Sequence, residues 1–200
     1  SAAPAFVQDE ALAGRSSADK RAAIGEWLKS EGLDAVVVSA LDSVAWVLNV
    51  RGSDVERTPV ALSYLTVLAD GTADWFIAPG KVPAEVAAAL GNAVRVRPRD
   101  SFAAALADLA GKRVASDPAR SVAAIFAALE VSGAEVVPLP DPAVLPKAIK
   151  NAAEIAGHKA AQARDGAAVS RFLHWLSVNG PKCMVDELSA AAQLESFRLA

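Results

Sequence analysis

Cysteine is almost absent from this chain of 200 residues, because Cys183 is the only one in the sequence. A single cysteine excludes an intrachain disulfide and any CxxC metal-binding motif, and it fits a reducing compartment. No apolar run reaches the roughly 18 residues of a membrane-spanning helix, and the N-terminal segment lacks the pattern of a signal peptide. We therefore expect a cytoplasmic protein without a membrane partner.

An excess of charge of one sign is also missing. The chain has 20 Lys and Arg residues against 23 Asp and Glu residues, and its net charge is −3. This balance, without long runs of either sign, gives no electrostatic footprint for a phosphate backbone or an anionic membrane surface. Glycine and proline, with 12 and 11 residues, are too few for a disordered chain. We expect a folded protein that does not bind nucleic acid.

Apolar residues are abundant, at 53% of the chain, and they recur in alternating helix and strand patterns. The periodicity predicts helices at residues 20–30, with a cap at Ser17, and at 42–49, 83–90, 101–110 and 119–132. It predicts strands at residues 35–39, 93–97, 113–116 and 134–138, and a hairpin over residues 60–79 with Asp70-Gly71 at its turn. The sequence therefore predicts an α/β fold in which helices flank both faces of a mixed sheet.

The character of the sequence changes at "PLPDPAVLP", residues 138–146. Its four prolines are expected to forbid helix and inner strand and to mark a domain boundary. Two helical patterns follow, at residues 151–178 and 185–198, and Asn151 with Glu154 forms a capping box at the first. We expect a tail or linker at 1–16, a domain at 17–147 and two helices at 148–200 whose apolar stripes need a further surface.

Motifs of catalysis are lacking too, since the chain has no GxSxG, P-loop, GxGxxG or HExxH pattern. The two histidines, His158 and His174, are expected on one helix about 24 Å apart, which prevents them from sharing a metal. His174 has the setting of a partly buried packing residue, and Cys183 lacks an activating neighbour. We expect no catalytic residue, no metal ligand and no cofactor in this chain.

The stretch "WVLNVRGSDVERTPV", residues 46–60, is the most unusual part of the sequence. It places Asn49 and four charged residues within nine positions between two hydrophobic segments; the charged residues are Arg51, Asp54, Glu56 and Arg57. One interpretation is a solvated loop, and the other is a loop that presents polar groups to a site elsewhere.

Two long blocks of the sequence resemble a known family. "LDSVAWVLNVRGSDVERTPVALSYLTVLADG" is similar to the middle domain of the three-domain Xaa-Pro aminopeptidases, also called aminopeptidase P. "LPKAIKNAAEIAGHKAAQARDGAAVSRFLHWL" resembles the join between that domain and the catalytic domain, and "DELSAAAQLESFR" resembles the helix that follows. The resemblance extends from about residue 17 to residue 200.

The resemblance implies a creatinase/prolidase N-terminal fold with a ribonuclease H-like motif. It also implies a pita-bread metallopeptidase, active as a homodimer, that removes the first residue from peptides with proline in second position. In such enzymes two divalent ions, often manganese, are held by two Asp, one His and two Glu, and none of these ligands has a counterpart here. We expect an inactive piece of a larger peptidase that lacks most of its catalytic domain; the alternative is a freestanding binding or assembly module.

The resemblance gives the polar stretch a role at the mouth of a catalytic centre. Loops of noncatalytic domains can wall such a site, so Arg51 or Asp54 is expected to contact substrate or another domain. Asn49 is expected to order the turn, and Gly52 to permit close backbone approach or positive φ. Alternatively, Arg51 and Asp54 pair with each other or cap the following segment. Family members commonly carry His where this chain has Arg57, so no proton-transfer role is expected there.

Overall fold

The computed structural model describes residues 3–183 and 185–200. The chain divides into two units, Ser1–Lys150 and Asn151–Ala200, and the division follows the proline-rich segment at residues 138–146. The first unit contains a mixed sheet with helices, and the second contains two helices.

Helices and strands alternate along the first unit. Its helices are α1 (Glu10–Ala13), α2 (Ser17–Ser30), α3 (Leu41–Leu48), α4 (Ala84–Leu90), α5 (Phe102–Ala105), α6 (Ala123–Ser132) and α7 (Val144–Ala148). Its strands are β1 (Phe6–Val7), β2 (Ala35–Val38), β3 (Val50–Arg51), β4 (Ser63–Leu68), β5 (Ala73–Ile77), β6 (Val94–Pro98), β7 (Arg113–Ser116) and β8 (Glu135–Pro138). The second unit holds α8 (Ala152–Asn179) and α9 (Glu187–Leu199).

Six of the strands form one mixed sheet in the order β6-β5-β4-β2-β7-β8. Strand β4 runs antiparallel to both β2 and β5, while β5/β6, β2/β7 and β7/β8 are parallel. The predicted hairpin is β4 and β5, with Gly71 at a φ of 81° in its turn. The predicted mixed sheet is therefore confirmed, and β6 and β8 form its two edges.

The sheet separates two apolar layers, as the alternation along β2 shows. Val36 and Val38 face a cluster that includes residues of α2, α3 and α4, whereas Ala35 and Val37 face a cluster with residues of α5 and α6. Successive side chains of a strand point to opposite faces, so a strand buried at all four positions needs cover on both sides. Helices flank both faces of the sheet, as predicted.

The three tryptophan residues of the first unit differ in burial. Trp75 on β5 is 0% exposed, and Trp27 and Trp46 are partly buried against the first of the two clusters.

The N-terminal segment corrects one expectation, because residues 5–13 belong to the first unit instead of forming a tail or linker. Strand β1 pairs antiparallel with β3, and Ala5 is 1% exposed. The Ala5 N–H donates to the carbonyl of Lys81 at 2.8 Å. So short a segment gives no periodic signal, so its pairing with a distant strand was not visible in the sequence.

The proline-rich segment corrects another expectation, since it contains a short helix, α7 (Val144–Ala148). Pro146 is the third residue of this helix. Proline is tolerated in a first turn because the N–H groups there have no intrahelical acceptor. The prolines at 138, 140 and 142 precede the helix.

Two helices of the first unit begin differently from their predicted starts. Ser17 lies inside α2, and Ser16 is the cap, accepting a hydrogen bond from Asp19 N–H at 3.0 Å. Helix α6 starts at Ala123 instead of residue 119, because Asp117 holds the preceding residues in a turn. Its carboxylate accepts from Ala119 N–H, and its carbonyl accepts from Ser121 N–H, both at 2.8 Å.

The second unit begins as its sequence predicts. The Asn151 side chain accepts from Glu154 N–H at 3.0 Å, and the Glu154 carboxylate accepts from Asn151 N–H at 2.9 Å. This reciprocal capping box opens α8, which runs to Asn179. Within this unit, Arg198 of α9 donates to Asp165 of α8 at 2.7 Å.

Candidate functional site

Asn49 ends α3 and turns the chain into the polar stretch. Its backbone is left-handed, with a φ of 52°, a conformation in which Asn is more frequent than most residues. The residue is 7% exposed, and both polar atoms of its side chain are hydrogen-bonded. Nδ2 donates to the Arg15 carbonyl at 2.8 Å, and Oδ1 accepts from Lys20 Nζ at 2.6 Å. These bonds fix the direction in which the chain leaves the helix.

Lys20 is a member of this site that the sequence did not reveal. It lies on α2 and is only 2% exposed, although lysine on a helix normally reaches solvent. Its ammonium donates to the Trp46 carbonyl at 3.0 Å and lies 4.4 Å from the centroid of the Trp46 ring. The Lys20 ammonium thus joins the C-terminal end of α3 to α2 through charge-assisted hydrogen bonds.

Arg51 lies on β3, immediately after Asn49 and Val50. Its Nη1 donates to the carbonyl of Ala45 at 3.0 Å and to the carbonyl of Val50 at 2.9 Å. The Ala45 carbonyl belongs to the last turn of α3, where positive charge is favourable. Arg51 is partly exposed, and its guanidinium caps the helix.

Gly52 is buried where two backbone segments approach each other. A Cβ at this position would lie 2.8 Å from the Cβ of Ala61 and 2.9 Å from its backbone nitrogen. Gly52 is not among the residues with positive φ. Of the two properties expected for this glycine, close approach is the one that the geometry displays.

Asp54 forms a buried ion pair with Lys81, its partner 27 positions along the chain. The two side chains are 1% and 8% exposed. Asp54 Oδ2 also accepts from Leu62 N–H at 2.8 Å, and Asp54 N–H donates to the Val60 carbonyl at 3.1 Å. The carboxylate therefore caps the segment that follows the loop and closes the loop at its base.

The pKa of Asp54 reflects this environment. Burial by itself raises the pKa of the carboxyl, but the hydrogen bond from Lys81, the Leu62 N–H and the Lys81 charge lower it more. The pKa lies below its ordinary value, so Asp54 is a carboxylate at neutral pH.

The tip of the loop, residues 55–58, is exposed. Val55 and Thr58 form an isolated antiparallel bridge, and Arg57 has a left-handed backbone with a φ of 61°. Arg57 Nε lies 3.4 Å from Glu56 Oε1, and their side chains are 91% and 87% exposed. An exposed pair of this kind contributes little to stability, so the charges of the tip are available to solvent or to another surface.

The other candidates remain apart from this site. His158 and His174 both lie on α8 and are exposed, so the expectation that His174 is partly buried is wrong. Cys183 is exposed as well. Within residues 3–183 and 185–200, no group of three or more His, Cys, Asp and Glu residues could hold a metal ion. Among the helices of these residues, none is long and apolar enough to cross a membrane.

Comparison with known proteins identifies the family of this fold and loop. The creatinase/prolidase N-terminal domain matches residues 1–154 of the chain. The chain therefore belongs to the creatinase/prolidase N-terminal domain family, as its fold and motifs predicted.

Relatives with similar sequences are Xaa-Pro aminopeptidases. The chain is 34% identical over 199 residues to Xaa-Pro aminopeptidase 1 of Dictyostelium discoideum, a match that covers 96% of this chain and 31% of the relative. It is 34% identical over 202 residues to a probable Xaa-Pro aminopeptidase P of Aspergillus clavatus, covering 96% of this chain and 30% of the relative. The chain thus spans about a third of the length of these relatives.

Solved structures agree with this comparison. The X-prolyl aminopeptidase of Caenorhabditis elegans, described as a cytosolic enzyme with a di-nuclear active site, superposes with a TM-score of 0.88 at 26% identity. That match covers 98% of this chain and 33% of the worm enzyme. An Xaa-Pro dipeptidase of Bacillus anthracis shares the fold, with a TM-score of 0.65 at 15% identity over 92% of this chain and 49% of the dipeptidase.

Proposed function

We propose that this chain is a noncatalytic part of an Xaa-Pro aminopeptidase, a metallo-exopeptidase that removes the first residue from peptides with proline in second position. The observation that carries the proposal is the 34% identity to Xaa-Pro aminopeptidases over 96% of the chain. The parent enzyme is proposed to be a cytoplasmic homodimer, in keeping with the neighbour described as cytosolic.

The metal centre of the parent enzyme is proposed to lie outside this chain. We propose that this centre holds two divalent ions and that both are manganese. Two ions would match the di-nuclear active site of the neighbour. The described residues do not fit such a pair, because no cluster of His, Cys, Asp and Glu among them could hold even one ion. The 200-residue chain is therefore proposed to be inactive alone, and no catalytic step is assigned to its residues.

The role proposed for this chain is to present the polar loop to the rest of the enzyme. Asn49, Gly52 and Asp54 support the loop from within the domain, through the Lys20 bonds, the contact with Ala61 and the buried pair with Lys81. Arg51 is partly exposed beside them and is the residue proposed to contact substrate or another domain. A loop with a fixed base and an exposed tip can wall a site without contributing to its chemistry.

Activity of the isolated chain tests the first part of this proposal. The 200-residue chain is incubated with an Xaa-Pro peptide, with manganese and with a chelator, and release of the first residue is measured. We expect no hydrolysis above the chelated control. Metal-dependent release of the first residue would overturn the proposal that the chain is inactive alone.

Substitution of Arg51 in the full-length enzyme tests the role of the loop. Arg51→Ala should lower kcat/KM for Xaa-Pro peptides by about tenfold to a hundredfold, because one charge-assisted contact is worth about 1.5–3 kcal/mol. Arg95→Ala is the control, since Arg95 pairs with Asp74 on the sheet, away from the loop. Unchanged kinetics with a lower unfolding midpoint would assign Arg51 a structural role.

The extent of the coding sequence separates the proposal from a freestanding binding or assembly module. A module of that kind would function without a catalytic partner, and its gene would encode no peptidase region. A coding sequence that continues into the metal ligands of a peptidase is the expected finding.

A further inference from the structure

A groove with a volume of 420 Å³ lies in the first unit, between α2, α3 and the proline-rich segment. Apolar residues form much of its lining; among them are Ile24, Trp27, Leu139 and Leu145. This volume lies in the range of small-molecule sites, which are mostly apolar with a few fixed polar groups.

Two polar side chains of this groove have a buried atom without a hydrogen-bond partner among the described residues. Asp141 is 6% exposed; its Oδ1 accepts from Ala143 N–H at 2.8 Å, but its Oδ2 has no partner. The Trp46 Nε1–H is also buried, and the residues that the structure describes offer it no acceptor. Buried polar atoms are nearly always paired, so two unpaired atoms on residues that line one groove point to a ligand.

The chemistry of the two atoms specifies the ligand. A carboxylate oxygen only accepts hydrogen bonds, and its strongest partner is a cationic donor such as an ammonium group. An indole N–H only donates, so it needs an acceptor such as a carbonyl oxygen. The apolar lining favours a hydrocarbon body between these two groups.

We propose that this groove binds an apolar amino-terminal residue, as a free ammonium group next to a carbonyl oxygen, with the ammonium on Asp141 and the carbonyl oxygen on Trp46. This site goes beyond the proposed function, because it requires neither a metal nor a catalytic residue. The groove consists of residues of the first unit, so the 200-residue chain contains the whole site.

Titration of the 200-residue chain with L-leucinamide tests the proposal. The indole N–H signal of Trp46, assigned with Trp46→Phe, should shift in a saturable way with a Kd of about 1–10 mM, a range suited to so small a ligand. N-acetyl-L-leucinamide has no ammonium group, and 3-methylbutylamine has no carbonyl oxygen; both should bind at least about tenfold more weakly. Equal binding of the acetylated compound would overturn the proposal.

Asp141→Asn is the decisive variant, because Asn retains an oxygen for Ala143 N–H and loses the charge. It should raise the Kd for leucinamide at least about tenfold. Asp70→Asn is the matched control, since Asp70 Oδ1 also accepts from the N–H two residues ahead, at 2.8 Å, but lies at the hairpin turn. This control should bind as the unchanged chain does.

A second variant keeps the test decisive if Asp141→Asn does not fold. Trp46→Phe removes the N–H and retains an aromatic ring, and its binding is followed by ligand-observed saturation transfer. We expect binding weakened about threefold to tenfold. Trp75→Phe is the control, because Trp75 Nε1 is also buried without a partner in the described part of the chain, but Trp75 does not line the groove. No saturable shift by leucinamide up to about 100 mM, or equal effects of the two Trp variants, would overturn the proposal.

Discussion

The two units of the chain differ in where their apolar side chains lie. In the first unit Leu28, Leu65 and Trp75 are 0% exposed, between a sheet and the helices on one of its faces. In the described part of the second unit Ala168 is the one buried residue, while Leu173 and Leu188 are 58% and 82% exposed. A sheet covered on both faces provides its own core, whereas two helices alone bury little. The first unit should therefore be stable alone and the second should not.

Separating the units tests this difference most directly. Residues 1–150 should unfold in one cooperative thermal transition, followed by circular dichroism at 222 nm, whereas residues 151–200 should show weak helicity and no cooperative transition. Precipitation or non-cooperative melting of residues 1–150 would show that the helices of the second unit complete the core of the first.

Removal of the buried Lys81 ammonium should have the next largest effect on stability. Lys81→Met leaves the Asp54 carboxylate buried without its charged partner, which should cost about 3–5 kcal/mol of unfolding free energy. Denaturation by urea measures the cost.

The exposed pair at the loop tip is the control for this variant. Arg57→Ala should change the stability by less than about 0.5 kcal/mol, because both members of its pair with Glu56 lie in solvent. Similar costs for Lys81→Met and Arg57→Ala would contradict the role of burial.

Replacing one helical glycine in each unit tests the difference in packing between the units. In α2, a Cβ on Gly25 would lie 2.9 Å from the Ala69 carbonyl oxygen. In α8, a Cβ on Gly157 would have no described atom outside its own helix turn within 4 Å. Gly25→Ala should destabilise the first unit by about 1–3 kcal/mol, because it overpacks a backbone contact. Gly157→Ala should raise the helicity of residues 151–200, since alanine favours helix by about 1 kcal/mol. If both variants stabilised their units, or both destabilised them, the proposed difference in packing would be contradicted.

Acid should reduce the difference in unfolding free energy between the unchanged chain and the Lys81→Met variant. A carboxyl whose folded pKa is lowered contributes stability above its unfolded pKa, about 3.9, and that stability is lost as the pH falls through the folded value. Without Lys81, the pKa of Asp54 should rise, because burial still opposes the charge and the Lys81 contributions that lower the pKa are lost. Protonation then relieves the buried charge. Urea denaturation between pH 7 and pH 3 should show this difference shrinking. A constant difference would mean that Asp54 is not the group that Lys81 neutralises.

Features that depend on neighbouring residues were predictable from the sequence. The Asp-Gly pair predicted the hairpin, the β-branched run predicted β2, and Asn151 with Glu154 predicted the N-terminal cap of α8. These signals are local, because a turn, a strand or a cap is specified within a few positions.

Features that join distant segments were not predictable from one sequence. Lys20 reads as a solvent-exposed helix residue, and nothing in the sequence links it to Asn49, 29 positions later. The Asp54–Lys81 pair joins a loop to the end of a hairpin in the same way. The role of Asp141 in the groove was not predictable either, because the prolines around it indicate a domain boundary and not a groove. Whether Asn49, Arg51, Gly52 and Asp54 contact substrate or another domain stays a prediction.

The edges of the six-stranded sheet have a consequence for the behaviour of the protein in concentrated solution. Edge strand β6 carries Arg95 and Arg97 and ends at Pro98, and edge strand β8 begins at Glu135 and ends at Pro138. Charged side chains repel an incoming strand, and proline has no N–H to donate to it. Both borders of the sheet thus oppose the addition of further strands, which protects the domain from fibrillar aggregation.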